Sequence, residues 1–317
     1  GLRAISSTSG PGISLMAEYI SMAYYAEVPL VLWDVQRVGP STGLPTRTAQ
    51  GDLTLNYFLG HGDTQHIILI PSSVTECFDF GWKAFDFAER YQTPVIILSD
   101  LDLGMNLWMT KKFDYPDQPI DRGKVLWEKG LEEFSGEWGR YLDVDSDGIP
   151  YRTLMGNTHK KAPYFTRGTG HDEFGNYSEE PDVWQRVLDR IKVKIESSKE
   201  ALPKPVVRAL PDANIGLIAM GSTEHAVIEA QEKLKALGIP ADFMRVRALP
   251  FSHEVQKFIE SHQRNYVLGL NRDGQLHQLL ILQYCDMSDR LISLSYIDGL
   301  PMTAEWVIKT VYSKEEE

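Results

Sequence analysis

The feature that most constrains this chain is the order of its apolar segments. Through the first two hundred residues, short β-branched runs alternate with helix-like stretches, the pattern of a parallel sheet covered by helices. Val28 to Val35, Gln65 to Ile70 and Pro94 to Ser99 read as strands, each apolar enough to be buried on both faces. Pro11 to Ala26 and Ser73 to Tyr91 read as helices, the first with proline in its opening turn and the second with hydroxyls to cap it. From Gly104 to about Asp182 the periodicity fails and Trp, Tyr, Gly, Pro and Asp take over; so long an irregular stretch predicts function or an interface.

Glu180 to Ala201 reads as a charged amphipathic helix, and Pro203-Lys204-Pro205 as a linker. Four β/α units then follow: strand Ile215 to Met220 with helix Thr223 to Leu237, strand Ala241 to Val246 with helix Ser252 to His262, strand Tyr266 to Leu270 with helix Gln275 to Gln283, and strand Leu291 to Tyr296 with helix Thr303 to Tyr312. The expectation is two doubly wound α/β domains, 1–202 and 203–317, in keeping with a length of 317 residues.

Lys+Arg 32 against Asp+Glu 44 gives a formal charge of −12, which repels phosphate backbones and anionic lipid, so neither nucleic acid nor membrane is expected as a partner. No apolar run approaches a membrane span, and a water-soluble, cytoplasmic protein is expected. Cys77 and Cys285 cannot form a disulfide framework or a four-cysteine cluster site and read as buried free thiols. The chain opens at Gly1 without a methionine or a signal peptide and reads as beginning inside a domain.

Two loops carry the candidate chemistry. Thr8-Ser9-Gly10-Pro11-Gly12 joins a strand end to a helix start, where glycines permit close approach and exposed amides favour an anion or polar heterocycle. The plain alternative is a tight turn. Arg37 opens a Gly-Pro-Ser-Thr-Gly-Leu-Pro-Thr loop directly after the first long strand, at the carboxyl edge where open α/β sheets hold ligands. Its guanidinium suits a carboxylate, and nearby hydroxyls could complete the shell. Asp143, Asp145 and Asp147 are spaced as in a calcium loop, but the twelfth position is Leu154, so a solvated acidic turn is the better reading. His159 and His171 show no zinc spacing, and His171 is expected to be structural or at a subunit contact.

These loops, with Leu15-Met16-Ala17-Glu18, Leu98-Ser99-Asp100, Thr166-Arg167-Gly168-Thr169-Gly170-His171-Asp172-Glu173, Gly221-Ser222-Thr223 and Asn271-Arg272-Asp273-Gly274-Gln275, resemble the α subunits of 2-oxoacid:ferredoxin oxidoreductases, most of all those acting on 2-oxoglutarate. The resemblance implies a pyrimidine-type thiamine-diphosphate-binding sheet followed by a transketolase C-terminal-like α/β domain. It implies that Arg37 binds the 2-oxoacid carboxylate, that Thr42 and Thr46 shape the substrate pocket, and that Ser9 and Gly10 lie beside the cofactor. The glutamate that activates the cofactor would lie upstream of Gly1. Thiamine diphosphate would be shared with a β subunit that carries Mg²⁺ and a [4Fe-4S] cluster, and coenzyme A and ferredoxin would complete the reaction. Pyruvate or branched 2-oxoacids are the alternative substrates, and a non-catalytic assembly module is the alternative of another class.

Overall fold

The computed structural model describes residues 1–316. Its first sheet contains β1 (Ile5–Thr8), β2 (Leu30–Gln36), β3 (Ile67–Leu69) and β4 (Pro94–Asp100). The spatial order is β1-β2-β4-β3, all parallel, and β4 is buried along its whole length, as its apolar sequence requires. Helices α1 (Gly10–Tyr25) and α3 (Val74–Tyr91) cover it, with the short α2 (Leu53–Tyr57) and α4 (Leu101–Met105) at the strand ends. Ser73 caps α3 by accepting the Glu76 amide at 3.2 Å, while Glu76 accepts the Ser72 amide at 2.9 Å; two otherwise orphaned donors are satisfied this way.

The segment between the sheets holds α5 (Glu128–Glu133) and ends in α6 (Pro181–Ser198). Although irregular, it packs a small core of its own from Leu126, Leu131 and Ala162. Its anchor is electrostatic. Glu27, fully buried, pairs with Arg190 and, at 2.7 Å, with the equally buried Lys194, which docks α6 against the entrance to β2. Burial alone would raise the Glu27 carboxyl, but the two cations hold it well below the usual carboxylate range.

The second sheet has the order β10-β9-β6-β7-β5, built from β5 (Val206–Arg208), β6 (Ile215–Met220), β7 (Ala241–Val246), β9 (Arg264–Gly269) and β10 (Leu291–Ser295). Helices α7 (Glu224–Ala236), α8 (His253–Glu260), α9 (Gln275–Gln283) and α10 (Ala304–Glu316) accompany it. Two strands were not expected. The supposed linker runs directly into β5, an antiparallel edge strand, and β8 (Ala248–Leu249) leaves the second half to pair antiparallel with β3 of the first sheet. Both are too short to show a period of two in sequence.

The sheets share their largest hydrophobic cluster: Ile13, Leu32 and Ile96 of the first half pack in one core with Ile218, Met244, Phe251 and Leu276 of the second. Separate clusters line the outer faces of each sheet. The cysteine expectation needs correction, because Cys285 is exposed and Cys77 only half-buried. Burial nevertheless pushes the Cys77 thiol up to about 12, so it is no nucleophile near neutrality. No helix among the described residues is long and apolar enough to cross a membrane.

Candidate functional site

The carboxyl ends of the two sheets converge. In the second sheet, β6 leads to β7 on one side while β9 lies on the other, so a crevice opens between the ends of β6 and β9. Gln50, from the first half, plugs it. Its amide donates to the Leu270 carbonyl at 2.8 Å, its carbonyl accepts Asn271 Nδ2 at 2.8 Å, and its side-chain Nε2 reaches the Met220 carbonyl at 3.2 Å and Asp100 Oδ2 at 3.0 Å. Asp100, at the end of β4, also accepts the Ser222 hydroxyl at 2.7 Å. Gly221 takes φ +58, and a Cβ there would lie 2.8 Å from Gln50 Nε2, so the turn needs glycine for both backbone and space.

Beside this junction lies a cavity of about 540 Å³ whose lining includes Gly10, Arg37, Ser41, Asp52, Asn271 and Gln275. Arg37 follows the last residue of β2 and is half-buried, and its Nε is buried without a hydrogen-bond partner. The loop after it is folded back on itself: Leu44 donates to the Val38 carbonyl at 3.1 Å and Val38 to that of Arg47 at 3.0 Å. Gly43, at φ +50, closes it, and a Cβ there would fall 2.0 Å from the Val38 carbonyl oxygen.

Of the residues singled out in the sequence, Arg37 and Gly10 come together in one cavity. Ser9 is the residue before α1, its carbonyl accepting the amides of Gly12 and Ile13 at 2.8 and 3.1 Å. Thr42 and Thr46 are exposed on the Arg37 loop and do not line the cavity. Asp143, Asp145 and Asp147 are engaged otherwise: Lys124 Nζ lies 2.7 Å from both Asp145 and Asp147, and Asp143 accepts the Gly148 amide at 2.8 Å. An ammonium group therefore stands where a calcium ion would, and no cluster of three or more His, Cys, Asp or Glu among the described residues could hold a metal. His171 is buried against Tyr25 and Tyr141, a packing role.

The sequence reading missed the acids. Asp52 receives the Gly10 amide, and a Cβ on Gly10 would sit 2.8 Å from its oxygens; the close approach that Gly10 permits is taken by the chain's own carboxylate. Behind it, Asp34 is fully buried in β2, held by Asn56 Nδ2 at 2.7 Å, with its other oxygen unpartnered. Burial and then the Asp52 charge push the Asp34 carboxyl up to about 7. Burial raises Asp52 to about 6 against the opposing pull of the Gly10 amide and Arg37. An Asp inside the otherwise apolar run Leu-Val-Leu-Trp-Asp-Val-Gln was the available signal, since an acid in a buried strand needs a reason.

A helix-flanked parallel sheet with a cavity at its strand ends defines an α/β protein with a ligand-sized site at the carboxyl edge of its sheet. Residues 1–125 match the family model described as pyruvate flavodoxin/ferredoxin oxidoreductase, thiamine diphosphate binding. The chain is 37% identical over 309 residues to the α subunit of 2-oxoacid:ferredoxin oxidoreductase 2 of Aeropyrum pernix, covering 95% of this chain and 46% of that one. It is 32% identical over 300 residues to the 2-oxoglutarate synthase subunit KorA of Methanocaldococcus jannaschii, covering 94% and 77%. A solved structure of 2-oxoglutarate:ferredoxin oxidoreductase from Magnetococcus marinus, with 2-oxoglutarate, coenzyme A and succinyl-CoA bound, superimposes over 99% of this chain and 53% of its own at a TM-score of 0.88 and 30% identity. The chain belongs to the 2-oxoacid:ferredoxin oxidoreductase α-subunit family, and it spans about half the length of the Aeropyrum and Magnetococcus chains.

Proposed function

We propose that this chain is the α-subunit core of a thiamine-diphosphate-dependent 2-oxoacid:ferredoxin oxidoreductase, which with a β subunit converts 2-oxoglutarate and coenzyme A to succinyl-CoA and carbon dioxide, or the reverse, and passes electrons to ferredoxin. The observation that carries this reading is Arg37, half-buried with an unpaired Nε, lining a strand-end cavity together with Gly10. The relatives named 2-oxoglutarate synthase, and the Magnetococcus enzyme holding 2-oxoglutarate, support the choice of acid.

The donor set fits one end of such a site. Arg37, Ser41, Asn271 and Gln275 offer donors for a carboxylate and partners for an amino-heterocycle, while Asp52 and Asp273 are the acids in the lining. Mg²⁺ and the [4Fe-4S] cluster would reside on the β subunit; among the described residues no group of three or more His, Cys, Asp or Glu could hold a metal. Thiamine diphosphate, when bound, supplies the nucleophile and the electron sink for decarboxylation. Arg37 would fix the substrate carboxylate by a charge-assisted pair, and the Gly43-closed loop would hold it in register. Thr42 and Thr46, exposed on that loop and outside the cavity lining, would contribute to the substrate pocket only where the loop meets bound substrate. Ser9 and Gly10 would flank the pyrimidine. Asp52, neutral or charged near pH 6, would tune the charge beside Arg37. Residues 1–202 would form the pyrimidine-binding unit and 203–317 the transketolase C-terminal-like unit.

The test is reconstitution with the β subunit and coenzyme A-dependent reduction of a viologen dye by 2-oxoglutarate, pyruvate and 2-oxoisovalerate. Turnover with 2-oxoglutarate is expected; turnover only with another acid changes the substrate, and none from a complex loaded with thiamine diphosphate and cluster leaves an assembly role.

A further inference from the structure

At the opposite end of β2 from Arg37 lies a second cavity, of about 230 Å³, between the amino ends of the strands and the irregular segment. Arg140 and Arg152 both line it, 3% and 6% exposed. Each has only a backbone carbonyl as partner: Arg140 Nη2 donates to Glu27 O at 2.9 Å, and Arg152 Nη2 to Arg122 O at 3.3 Å. Arg140 Nε and Nη1 and Arg152 Nε are buried with no hydrogen-bond partner, and among the described residues no carboxylate lies within ion-pair distance of either guanidinium, Glu89 and Glu27 acting on them only from farther off.

Two acids also line the cavity, and both are already taken. Glu27 is neutralised by Arg190 and Lys194, and Glu89 by Arg122 at 2.6 Å and Arg3 at 3.4 Å, with Arg3 itself held by Asp86 at 2.6 Å. The aromatic faces of Tyr141 and Tyr164 lie 4.8 and 5.4 Å from the Arg140 guanidinium carbon, which offsets part of one charge but accepts none of its in-plane N–H bonds. Glu89 attracts Arg152, and Glu27 attracts Arg140, through space without an ion-pair contact, so what the two buried and mutually repelling guanidiniums lack is acceptors for their free N–H donors, which an anion between them would supply.

We infer that this cavity is an oxyanion site in which Arg140 and Arg152 together bind a carboxylate or phosphate group. The planar forks of arginine suit both chemistries. The group comes either from a free small anion or from an acidic side chain of another polypeptide in the assembled enzyme. A volume of about 230 Å³ accommodates a group of several heavy atoms.

The experiment uses the whole 317-residue chain and inorganic phosphate as the probe, with sodium chloride at matched ionic strength as the control. A saturable rise of a few degrees in Tm with phosphate is expected, absent with chloride and lost in Arg152→Gln and Arg140→Gln. Crystals soaked in selenate should show an anomalous peak between the two guanidiniums, a readout that needs no variant to fold. Repeating the titration on the α–β complex separates the sources: retained phosphate binding identifies a free anion, and binding seen in the chain alone but blocked in the complex identifies a polypeptide acid. A phosphate effect equal to that of chloride, or selenate bound elsewhere with this cavity empty, overturns the inference. None of these readouts requires turnover, so a failure of the proposed enzymatic function would not be confused with a failure here.

Discussion

The backbone amide of Gln50 donates to the carbonyl of Leu270 at 2.8 Å, joining residues 220 apart in sequence. Through it the first sheet closes the crevice at which the second would otherwise hold a ligand. The cavity beside the junction, lined by Arg37 and Gly10 together with Asn271 and Gln275, is the proposed site.

Gln50→Ala should therefore destabilise the whole fold, since it strips Asp100 and the Met220 carbonyl of a buried donor. An unsatisfied buried acceptor costs about 1–3 kcal/mol. Urea unfolding should show a lower midpoint with an unchanged m-value; a fall in m-value would instead mean that the two sheets unfold separately.

Arg37→Ala in the reconstituted enzyme should lower kcat/KM for the 2-oxoacid by about thirtyfold, equivalent to about 2 kcal/mol for a charged hydrogen-bond pair. Arg37→Lys should recover only part, because an ammonium lacks the paired donors. Gly43→Ala, outside the cavity lining, should produce a similar fall by displacing the loop. Unchanged kinetics in both Arg37 variants would remove this side chain from the site.

The carboxyls of Asp34 and Asp52 set a pH dependence with a definite sign. Folding raises them to about 7 and about 6 from ordinary values of 3.8, so between about pH 4 and 7 the folded state binds more protons than the unfolded one. Stability should fall as pH rises through that window. Asp34→Asn, which removes the charge and keeps an acceptor for Asn56, should flatten the curve and leave the variant at least as stable as the parent at pH 8. Denaturant midpoints from pH 4 to 8 measure this, and a parent curve rising toward pH 7 would contradict it.

Lys194→Met should cost about 3–5 kcal/mol, the usual consequence of breaking a buried ion pair from one side, by leaving the fully buried Glu27 with Arg190 alone. Adding Glu27→Gln should restore part of the loss. A double-mutant cycle on unfolding free energies gives the coupling, and strict additivity would show that the pair is not a unit.

What was legible in the sequence was local. Runs of branched apolar residues announced β2, β4, β6 and β9, because a strand covered on both faces must be apolar along its length. Pro11 and Ser73 marked helix starts for equally local reasons of φ and capping. The Arg37 loop could be placed at a strand end by counting along the chain, and its resemblance to a known family was carried by a contiguous block of residues. Only tertiary structure decided the rest. The sharing of one core by both sheets, the capture of β8 by the first sheet, and the seating of Gln50 in the second sheet's crevice depend on partners far apart in sequence, and no periodicity encodes them. The same holds for charge: Arg140 and Arg152 are unremarkable letters, and Asp34 only an acid in an apolar run, until packing removes their water, and it is that desolvation that raises the Asp34 carboxyl to about 7 and leaves the arginines as donors awaiting an anion.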